Sequence, residues 1–297
     1  MKIFQRNQQY NAYNMYGLEK YMNRKFIMNK IIIIFMILIV LLFILFFILN
    51  KNNKYWLDFS KIKQCNIDDN IEIDKGKFNL TNIGVENLNK IYSSEIKRVF
   101  LTFDDGPSQN TGDILDILKE KNIKATFFVL GSQVEKMPET TKRIYEEGHY
   151  IANHGYSHVY SKIYKSPEDV LDEYNKCNQI VANVLEIPEF NSHLFRFPGG
   201  ATGGKYSEIK DKARELLHKN NILYVDWNSL TGDSEKNNPT QKYLMDNLKR
   251  TSNGKESVVL LMHDSQSKRE TVDFLHTVID YFDKQEYKFE DFYSIIQ

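Results

Sequence analysis

The chain has 297 residues, a formal net charge of zero and two cysteines. A net charge of zero gives no general electrostatic argument for a nucleic-acid partner, and two cysteines exclude a disulfide-rich scaffold. Cys65 and Cys177 fit no metal-binding spacing. Cys177 lies in a helical pattern and is expected in the core, while a disulfide between the two stays open.

The first 94 residues predict a membrane anchor ahead of a folded domain. Residues 1–30 are polar and mildly basic, which predicts a cytoplasmic tail. Residues 31–49 are apolar without a charge, Gly or Pro, and as a helix of about 28 Å they are long enough to cross a bilayer. We therefore expect an uncleaved transmembrane signal anchor over 31–50, with the N terminus inside and the rest outside the cell. Residues 51–94 are less apolar and predict an extracellular spacer.

From residue 95 to the end, strand-like and amphipathic helical segments alternate. The strand candidates are Val99–Phe103, Ala125–Leu130, Tyr150–Asn153, Leu194–Phe197, Ile222–Asp226 and Val258–Met262. The helix candidates are Ile114–Lys121, Thr140–Glu147, Pro167–Leu185, Ser207–Lys219, Thr240–Arg250 and Arg269–Phe282. This alternation predicts βα units around a mostly parallel sheet. Roughly 200 residues is short for eight units, so we expect a barrel with fewer units or a distorted one.

Two adjacent carboxylates follow the first predicted strand. Asp104 and Asp105 stand where this strand ends, and Gly106-Pro107 is a strong turn signal. Chemistry in parallel α/β folds is usually placed at the carboxyl ends of strands. The alternative is an acidic turn that caps the next helix.

Two histidines follow the strand that ends at Asn153. His154 and His158 are four residues apart, so on a helical turn both side chains project from one face and can share an ion. One carboxylate and two imidazoles are a ligand set for zinc or a similar divalent ion, with positions left for water and substrate. The alternative for an isolated histidine pair is a chance pair on the protein surface that binds no ion.

Three more predicted strands end on polar or charged residues. Arg196 precedes a Phe-Pro-Gly-Gly turn, where a buried guanidinium would keep a neighbouring carboxylate ionised; the alternative is a Gly-rich loop with a surface Arg. Another predicted strand ends at Asp226 and is followed by Trp227. Asp226 is interpreted as a strand-end residue, and Trp227 as part of the core or of a pocket wall. The last predicted strand is followed by His263. Taken by itself, this position favours a histidine buried in the core.

Taken in chain order, five segments resemble the five motifs of the polysaccharide deacetylases, the NodB-homology enzymes of carbohydrate esterase family 4. The segments are Thr102–Pro107, His154–His158, Arg196–Gly200, Trp227–Asp233 and Leu261–Asp264. The resemblance covers about residues 96–290, within the predicted catalytic domain 95–297. It implies a deformed, TIM-like (β/α) barrel of about seven units, and a metal-dependent enzyme that removes N-acetyl groups from an aminosugar polymer.

The resemblance also implies three groups of site residues. The metal ligands are Asp105, His154 and His158. The proton-transfer residues and their partners are Asp104 as base, Arg196 beside it, His263 as acid, and Asp233 beside His263. The substrate contacts are Gly199, Trp227 and Leu261.

The implied cofactor is a divalent metal, first Zn²⁺, with Co²⁺, Ni²⁺ or Mn²⁺ as alternatives. The implied partner is an N-acetylated glycan, and the predicted anchor at 31–49 favours N-acetylglucosamine of peptidoglycan at the cell membrane. The lipid bilayer is the second expected partner, and no nucleic acid is expected. N-acetylmuramic acid, an exopolysaccharide, a chitooligosaccharide, O-acetyl ester hydrolysis and non-catalytic wall binding stay open as alternatives.

Four residues depart from the family pattern. Gly155 stands where the family usually has Ser or Thr, and Gly199 where many members have Tyr. Leu230 and Ser234 replace Asp and Trp in the fourth motif. Gly155 predicts a less rigid loop at the metal ligands, and Gly199 predicts that one wall of the sugar groove is missing. Leu230 and Ser234 predict a more open acetyl pocket. Every expected metal ligand and proton-transfer group is present.

Overall fold

A curved parallel sheet forms the core of the described residues in a computed structural model, which describes residue 88 and residues 90–296. Its strands are β1 (Arg98–Asp104), β2 (Thr126–Val129), β3 (Tyr150–Asn153), β4 (Leu194–Phe195), β5 (Leu223–Tyr224), β6 (Ser229–Leu230), β7 (Ser257–His263) and β8 (Lys288–Glu290). The order across the sheet is β5-β4-β3-β2-β1-β7-β6, and β8 pairs with the first half of β1. Among the described residues no pairing joins β5 to β6, so the sheet is a half-barrel with an open seam. The predicted parallel α/β architecture is confirmed.

Helices connect the strands, and the longer ones cover the outer face of the sheet. They are α1 (Gln109–Glu120), α2 (Gly131–Val134), α3 (Pro138–Glu146), α4 (Tyr160–Ile163), α5 (Pro167–Leu185), α6 (Ser207–Lys219), α7 (Gln241–Ser252), α8 (Arg269–Asp283) and α9 (Tyr293–Ile296). The longest, α5, begins where the Ser166 side chain accepts a hydrogen bond from the Asp169 N–H, and it ends at Glu186 in the left-handed conformation. Its position matters because one face of α5 packs beside the segment after β3 that carries His154 and His158.

Residue alternation along the strands separates the outer core from the barrel interior. Every second residue of β1 packs outward against the helices, whereas Phe100 packs in the inner cluster. Asp104 lies four residues after Phe100 and therefore faces the interior as well. The same alternation carries β7 from Val259, inside the barrel, to His263 at its upper end. The strand period thus directs the chemistry-bearing side chains to one end of the interior.

Residues near both ends of the described chain complete the inner cluster. Leu88 and Ile91 are buried in it, as are Phe292 and Ile296. The composition places the boundary between spacer and domain near residue 95, whereas the core already includes residue 88. Two isolated apolar residues in a polar stretch are too weak a pattern to mark this packing from sequence alone.

No helix among the described residues has the length and apolar character needed to cross a membrane. The predicted tail at 1–30, the predicted anchor at 31–50 and most of the spacer, with Cys65, lie outside the described residues. Cys177 is buried on α5, where its sulfur lies 3.5 Å from the Val129 carbonyl oxygen.

Candidate active site

The carboxyl ends of four strands bring the predicted site residues to one end of the barrel. Asp104 ends β1, His154 follows β3, Arg196 follows β4 and His263 ends β7. Because parallel strands all point the same way, their carboxyl ends form one edge, and side chains placed there converge. The structure therefore brings together residues that are up to 159 positions apart in sequence, as the paired residues Asp104 and His263 of β1 and β7 illustrate.

Asp105, His154 and His158 form a cluster suited to a divalent metal. The Asp105 Oδ1 atom lies 3.5 Å from His154 Nε2 and 3.4 Å from His158 Nε2. One ligand atom from each of the three residues lies within 4.8 Å of the others. Asp105 Oδ1 is buried and has no hydrogen-bond partner among the residues that the structure describes. A buried carboxylate oxygen facing two imidazole nitrogens fits a zinc-like ion.

The His154 ring is held in the tautomer that a metal ligand requires. Its Nδ1 lies 2.8 Å from the Arg196 carbonyl oxygen, so Nδ1–H donates and the Nε2 lone pair faces Asp105. Burial, assisted by His158, lowers the pKa of His154 to about 3 against the opposing effect of Asp105. The imidazole is therefore neutral at physiological pH, and no proton has to be displaced before it can coordinate an ion.

The two histidines converge through an irregular loop, so the helical-turn prediction for His154–His158 is wrong. Gly155 has φ +87° and His158 has φ +55°, and α4 begins only at Tyr160. The left-handed conformation favours Gly at position 155 and interrupts helical hydrogen bonding. Asp105, on the facing loop, also has a positive φ of 77°. The chain thus adopts unfavoured backbone conformations on both sides of the cluster.

Glu173 on α5 holds the loop between the two histidines. Its Oε2 accepts hydrogen bonds from the N–H groups of Tyr156 and Ser157, each at 2.7 Å, and its Oε1 accepts one from the Ser157 hydroxyl at 2.7 Å. A β-carbon at Gly155 would lie only 3.4 Å from Oε2, so the carboxylate packs closely against this residue. The loop amides that lack helical acceptors are therefore satisfied by one carboxylate.

Asp104 is paired with a fully buried arginine. Its Oδ1 accepts a hydrogen bond from the Arg196 guanidinium at 2.9 Å, and its Oδ2 lies 3.8 Å from His154 Nε2. Burial raises the pKa of Asp104, against the opposing charges of Arg196 and His263. The raised pKa makes Asp104 a stronger base than an exposed aspartate, while Arg196 fixes the carboxylate beside the metal cluster.

The guanidinium of Arg196 is itself held from several sides. It donates to the Thr102 hydroxyl at 2.8 Å and to the carbonyl oxygens of Val225 at 3.2 Å and Asp226 at 3.1 Å. Its central carbon lies 3.9 Å from the centroid of the Phe128 ring. These contacts satisfy a charge that would otherwise be costly to bury, and they leave one guanidinium nitrogen directed at Asp104.

His263 and Asp233 form a second buried ion pair opposite Asp104. The Asp233 Oδ1 lies 2.9 Å from His263 Nδ1, and its Oδ2 accepts hydrogen bonds from the His263 N–H at 2.7 Å and the Thr271 hydroxyl at 2.8 Å. Burial lowers the pKa of His263, but the Asp233 carboxylate, with the charges of Asp104 and Asp105, raises it to about 9. The Asp233 pKa is held below its usual range by the same pair, against the effect of burial. His263 is therefore an imidazolium at neutral pH, and its Nε2–H has no acceptor among the residues that the structure describes.

The three predicted substrate contacts occupy different parts of the barrel. Gly199 lies in the turn after β4 with φ +74°, and within the described part of the chain no hydrogen bond uses its N–H. Leu261 is buried on β7, two residues before His263 and on the same strand face. Trp227 packs against the inner cluster and lines a cavity of about 460 Å³ at the open seam, together with Tyr92.

Comparisons with known proteins agree with this architecture. A family model described as polysaccharide deacetylase matches residues 92–224. A peptidoglycan-N-acetylglucosamine deacetylase of Bacillus cereus is 34% identical over 57% of this chain and 60% of its own length. A second protein of that name from the same organism is 30% identical over 65% of this chain and 85% of its own length. The chain belongs to the polysaccharide deacetylase family.

Solved structures of this family include one with a fold similar to that of the described domain. The catalytic domain of a peptidoglycan N-acetylglucosamine deacetylase from Eubacterium rectale has 26% identity and a TM-score of 0.61, covering 67% of this chain and 90% of that one. The chain spans about 60% of the length of the first Bacillus cereus relative. Asp233 and His263 lie beyond the residues matched by the polysaccharide deacetylase model, so their assignment depends on the geometry given above.

Two residues that sequence patterns did not single out are built into the candidate site. Glu173 is one of several acids on an amphipathic helix, and only its tertiary contacts distinguish it. Asp264 is buried beside Gly106, where a β-carbon would overlap its carboxylate. Its N–H donates to the Asp104 carbonyl oxygen at 3.1 Å, and its carboxylate accepts a 2.5 Å hydrogen bond from the Thr111 hydroxyl. Its position directly after His263 was the one available signal.

Proposed function

We propose that this protein is a metal-dependent deacetylase that hydrolyses the N-acetyl groups of N-acetylglucosamine in peptidoglycan. One observation carries the proposal: a buried carboxylate–arginine pair and a buried histidine–carboxylate pair flank a cluster of one carboxylate and two imidazoles. Amide hydrolysis needs a base for the attacking water, an acid for the leaving nitrogen and a stabiliser of negative charge. The three parts of this site match those three needs.

Asp105, His154 and His158 are the residues that would hold the ion. The unpartnered Asp105 Oδ1 and the neutral His154 imidazole support this assignment. When bound, a divalent ion such as Zn²⁺ supplies Lewis-acid polarisation of the amide carbonyl and a water of lowered pKa. Three protein ligands are also the number that catalytic zinc sites typically use.

Asp104 acts as the general base. Its Oδ2 faces the metal cluster while Oδ1 is tied to Arg196. It takes a proton from the water as the water oxygen bonds to the carbonyl carbon. Arg196 keeps the carboxylate oriented before the proton transfer and balances the charge of the buried site.

The Gly199 N–H and His263 complete the reaction. The Gly199 N–H is a donor without a protein acceptor among the described residues, and it hydrogen-bonds the oxyanion at the tetrahedral carbon. The carbon–nitrogen bond then breaks as His263 Nε2–H protonates the amine. Asp233 stabilises the imidazolium until that transfer. The products are acetate and a glucosamine unit, and Leu261 lines the pocket for the acetyl methyl group.

The choice of peptidoglycan is supported by the names of the relatives and by the predicted anchor at 31–49. We propose that the chain is a single-pass membrane protein with its catalytic domain outside the cell. Carbonate extraction of cell membranes tests the anchor: the full chain should stay in the pellet and a chain lacking residues 1–50 should not. Release of the full chain by carbonate would remove the topological argument for peptidoglycan.

Acetate release tests the reaction and the substrate together. The full-length protein is given peptidoglycan, N-acetylglucosamine oligomers and an O-acetylated glycan, with and without a chelator, beside an Asp104→Asn variant. We expect chelator-sensitive release from peptidoglycan that Asp104→Asn abolishes. Faster release from the O-acetylated glycan would reassign the enzyme as an esterase. No release from any of them by metal-loaded protein would favour a wall-binding role.

A further inference from the structure

Tyr160 occupies the space above the turn that carries Gly199. It is the first residue of α4, two positions after His158, and 39% of its surface is exposed. Its hydroxyl oxygen lies 2.5 Å from the position that a β-carbon at residue 199 would take. In this arrangement the Tyr160 hydroxyl occupies the space that a side chain at 199 would need. The absence of a side chain at 199 leaves this space to an aromatic ring from a different loop.

The ring of Tyr160 is held in place by its neighbours. Its centroid lies 5.6 Å from the His158 ring, 5.6 Å from the Tyr164 ring and 6.4 Å from the Tyr206 ring. The Tyr164 hydroxyl donates to the Pro198 carbonyl oxygen at 2.6 Å, so this aromatic cluster is tied to the turn that contains Gly199. A ring fixed in this way loses little conformational entropy when a ligand packs against it.

The Tyr160 hydroxyl is available as a hydrogen-bond donor. No hydrogen bond joins it to another described residue. An amphipathic ring, part exposed and with a free donor, lies beside both the metal cluster and the Gly199 N–H. Ligand sites combine these features: an apolar wall and a few placed polar groups.

We propose that Tyr160 is a substrate-binding residue, whose ring forms the wall of the sugar groove beside the metal cluster and whose hydroxyl hydrogen-bonds the sugar that loses its acetyl group. This inference rests on the proposed function, because it takes an N-acetylated sugar as the ligand. It also supplies a wall for the groove where Gly199 alone would leave none. The ring that supplies the wall comes from the start of α4, two residues after His158.

Binding measured without turnover tests Tyr160 directly. An N-acetylglucosamine tetramer is titrated into metal-depleted full-length protein by calorimetry. Tyr160→Phe removes one neutral hydrogen bond and should raise the Kd about 3- to 10-fold. Tyr160→Ala also removes the ring and should raise it about 30-fold or more. Tyr206→Phe alters another tyrosine of the same aromatic cluster and should leave the Kd unchanged.

Turnover by the metal-loaded protein gives the second readout. Tyr160→Ala should raise KM for the tetramer while kcat changes by less than about threefold, and hydrolysis of a small acetyl ester that does not fill the sugar groove should be unchanged. An unchanged Kd in Tyr160→Ala, or an equal loss with the small ester, would overturn the inference. Tetramer binding that depends on Tyr160 in a protein that releases no acetate would instead overturn the proposed function alone.

Discussion

Replacing Glu173 tests whether the metal loop is held from α5. Glu173→Ala removes three hydrogen bonds, two to loop amides and one to the Ser157 hydroxyl. Such bonds to a charged acceptor contribute about 1.5–3 kcal/mol each when buried. Glu173 is only partly buried, and water can replace part of the loss. We therefore expect a total near the value of one buried bond, expressed as a less ordered loop.

The loss should appear in metal affinity because the loop joins two of the three ligands. Removing residues that orient metal ligands commonly weakens metal binding about 10- to 100-fold, which corresponds to about 1.4–2.8 kcal/mol. Zinc affinity is measured by competition with a chromophoric chelator. Amide hydrogen exchange in the metal-free protein gives an independent readout, and exchange at residues 156 and 157 should be faster in Glu173→Ala.

Two matched variants control for charge and for the loss of a helix residue. Asp172→Ala removes the same charge from the adjacent, exposed position and should bind zinc as the wild type does. Glu173→Gln keeps an acceptor for the loop amides and should recover most of the affinity. Wild-type zinc affinity in Glu173→Ala, or an equal loss in Asp172→Ala, would refute a loop-holding role for this carboxylate.

The two buried ion pairs make distinct predictions. Asp233→Asn removes the charge that raises the pKa of His263 to about 9. Because His263 must be protonated to act, the alkaline limb of the kcat/KM profile should move from near pH 9 to lower pH by at least about one unit. A pH–rate profile in which this limb does not move would exclude His263 as the acid. Arg196→Leu leaves Asp104 buried without its partner and should lower the free energy of unfolding by about 3–5 kcal/mol, measured by denaturant titration. Adding Asp104→Asn to Arg196→Leu should restore part of that stability, and an additive double variant would show that the pair is not coupled.

The placement of the site could be predicted because it depends on strand ends. The predicted strands that supply Asp104, His154, Arg196 and His263 carry these residues at or near the carboxyl end. Parallel pairing alone then brings the four residues to one edge. The helices Pro167–Leu185 and Ser207–Lys219 were also predicted with their observed bounds. For the first of these, Ser166 and Pro167 provide local signals for the start.

Features that depend on pairing between distant segments could not be predicted. The strands β6 and β8 have two and three residues, and their pairing with β7 and β1 defines them rather than any apolar pattern. β4 and β5 are shorter than their apolar runs because pairing ends before the runs do. His154 and His158 have helical spacing, but Gly155 and Glu173 impose a loop instead.

The roles of Glu173 and Tyr160 are non-local in the same sense. Each lies in a segment with many similar residues, and each acquires its role from contacts with another segment. For Glu173 these are hydrogen bonds to Tyr156 and Ser157, and for Tyr160 it is the position over Gly199. Gly155 and Gly199 looked like losses relative to the family pattern. In the structure, Glu173 packs against the first glycine and Tyr160 lies over the second. The departure at Gly199 is thus interpreted correctly only together with Tyr160, which occupies the space beside it.

We propose that Asp105, His154 and His158 would hold the ion on which removal of acetyl groups from peptidoglycan depends. The most direct measurement counts acetate and new free amines on peptidoglycan treated with metal-depleted protein, the same protein after zinc is restored, and zinc-treated Asp105→Ala. We predict equal amounts of acetate and amine with the restored wild type and neither with the other two. Equal rates before and after zinc is restored, or wild-type rates in Asp105→Ala, would contradict the account.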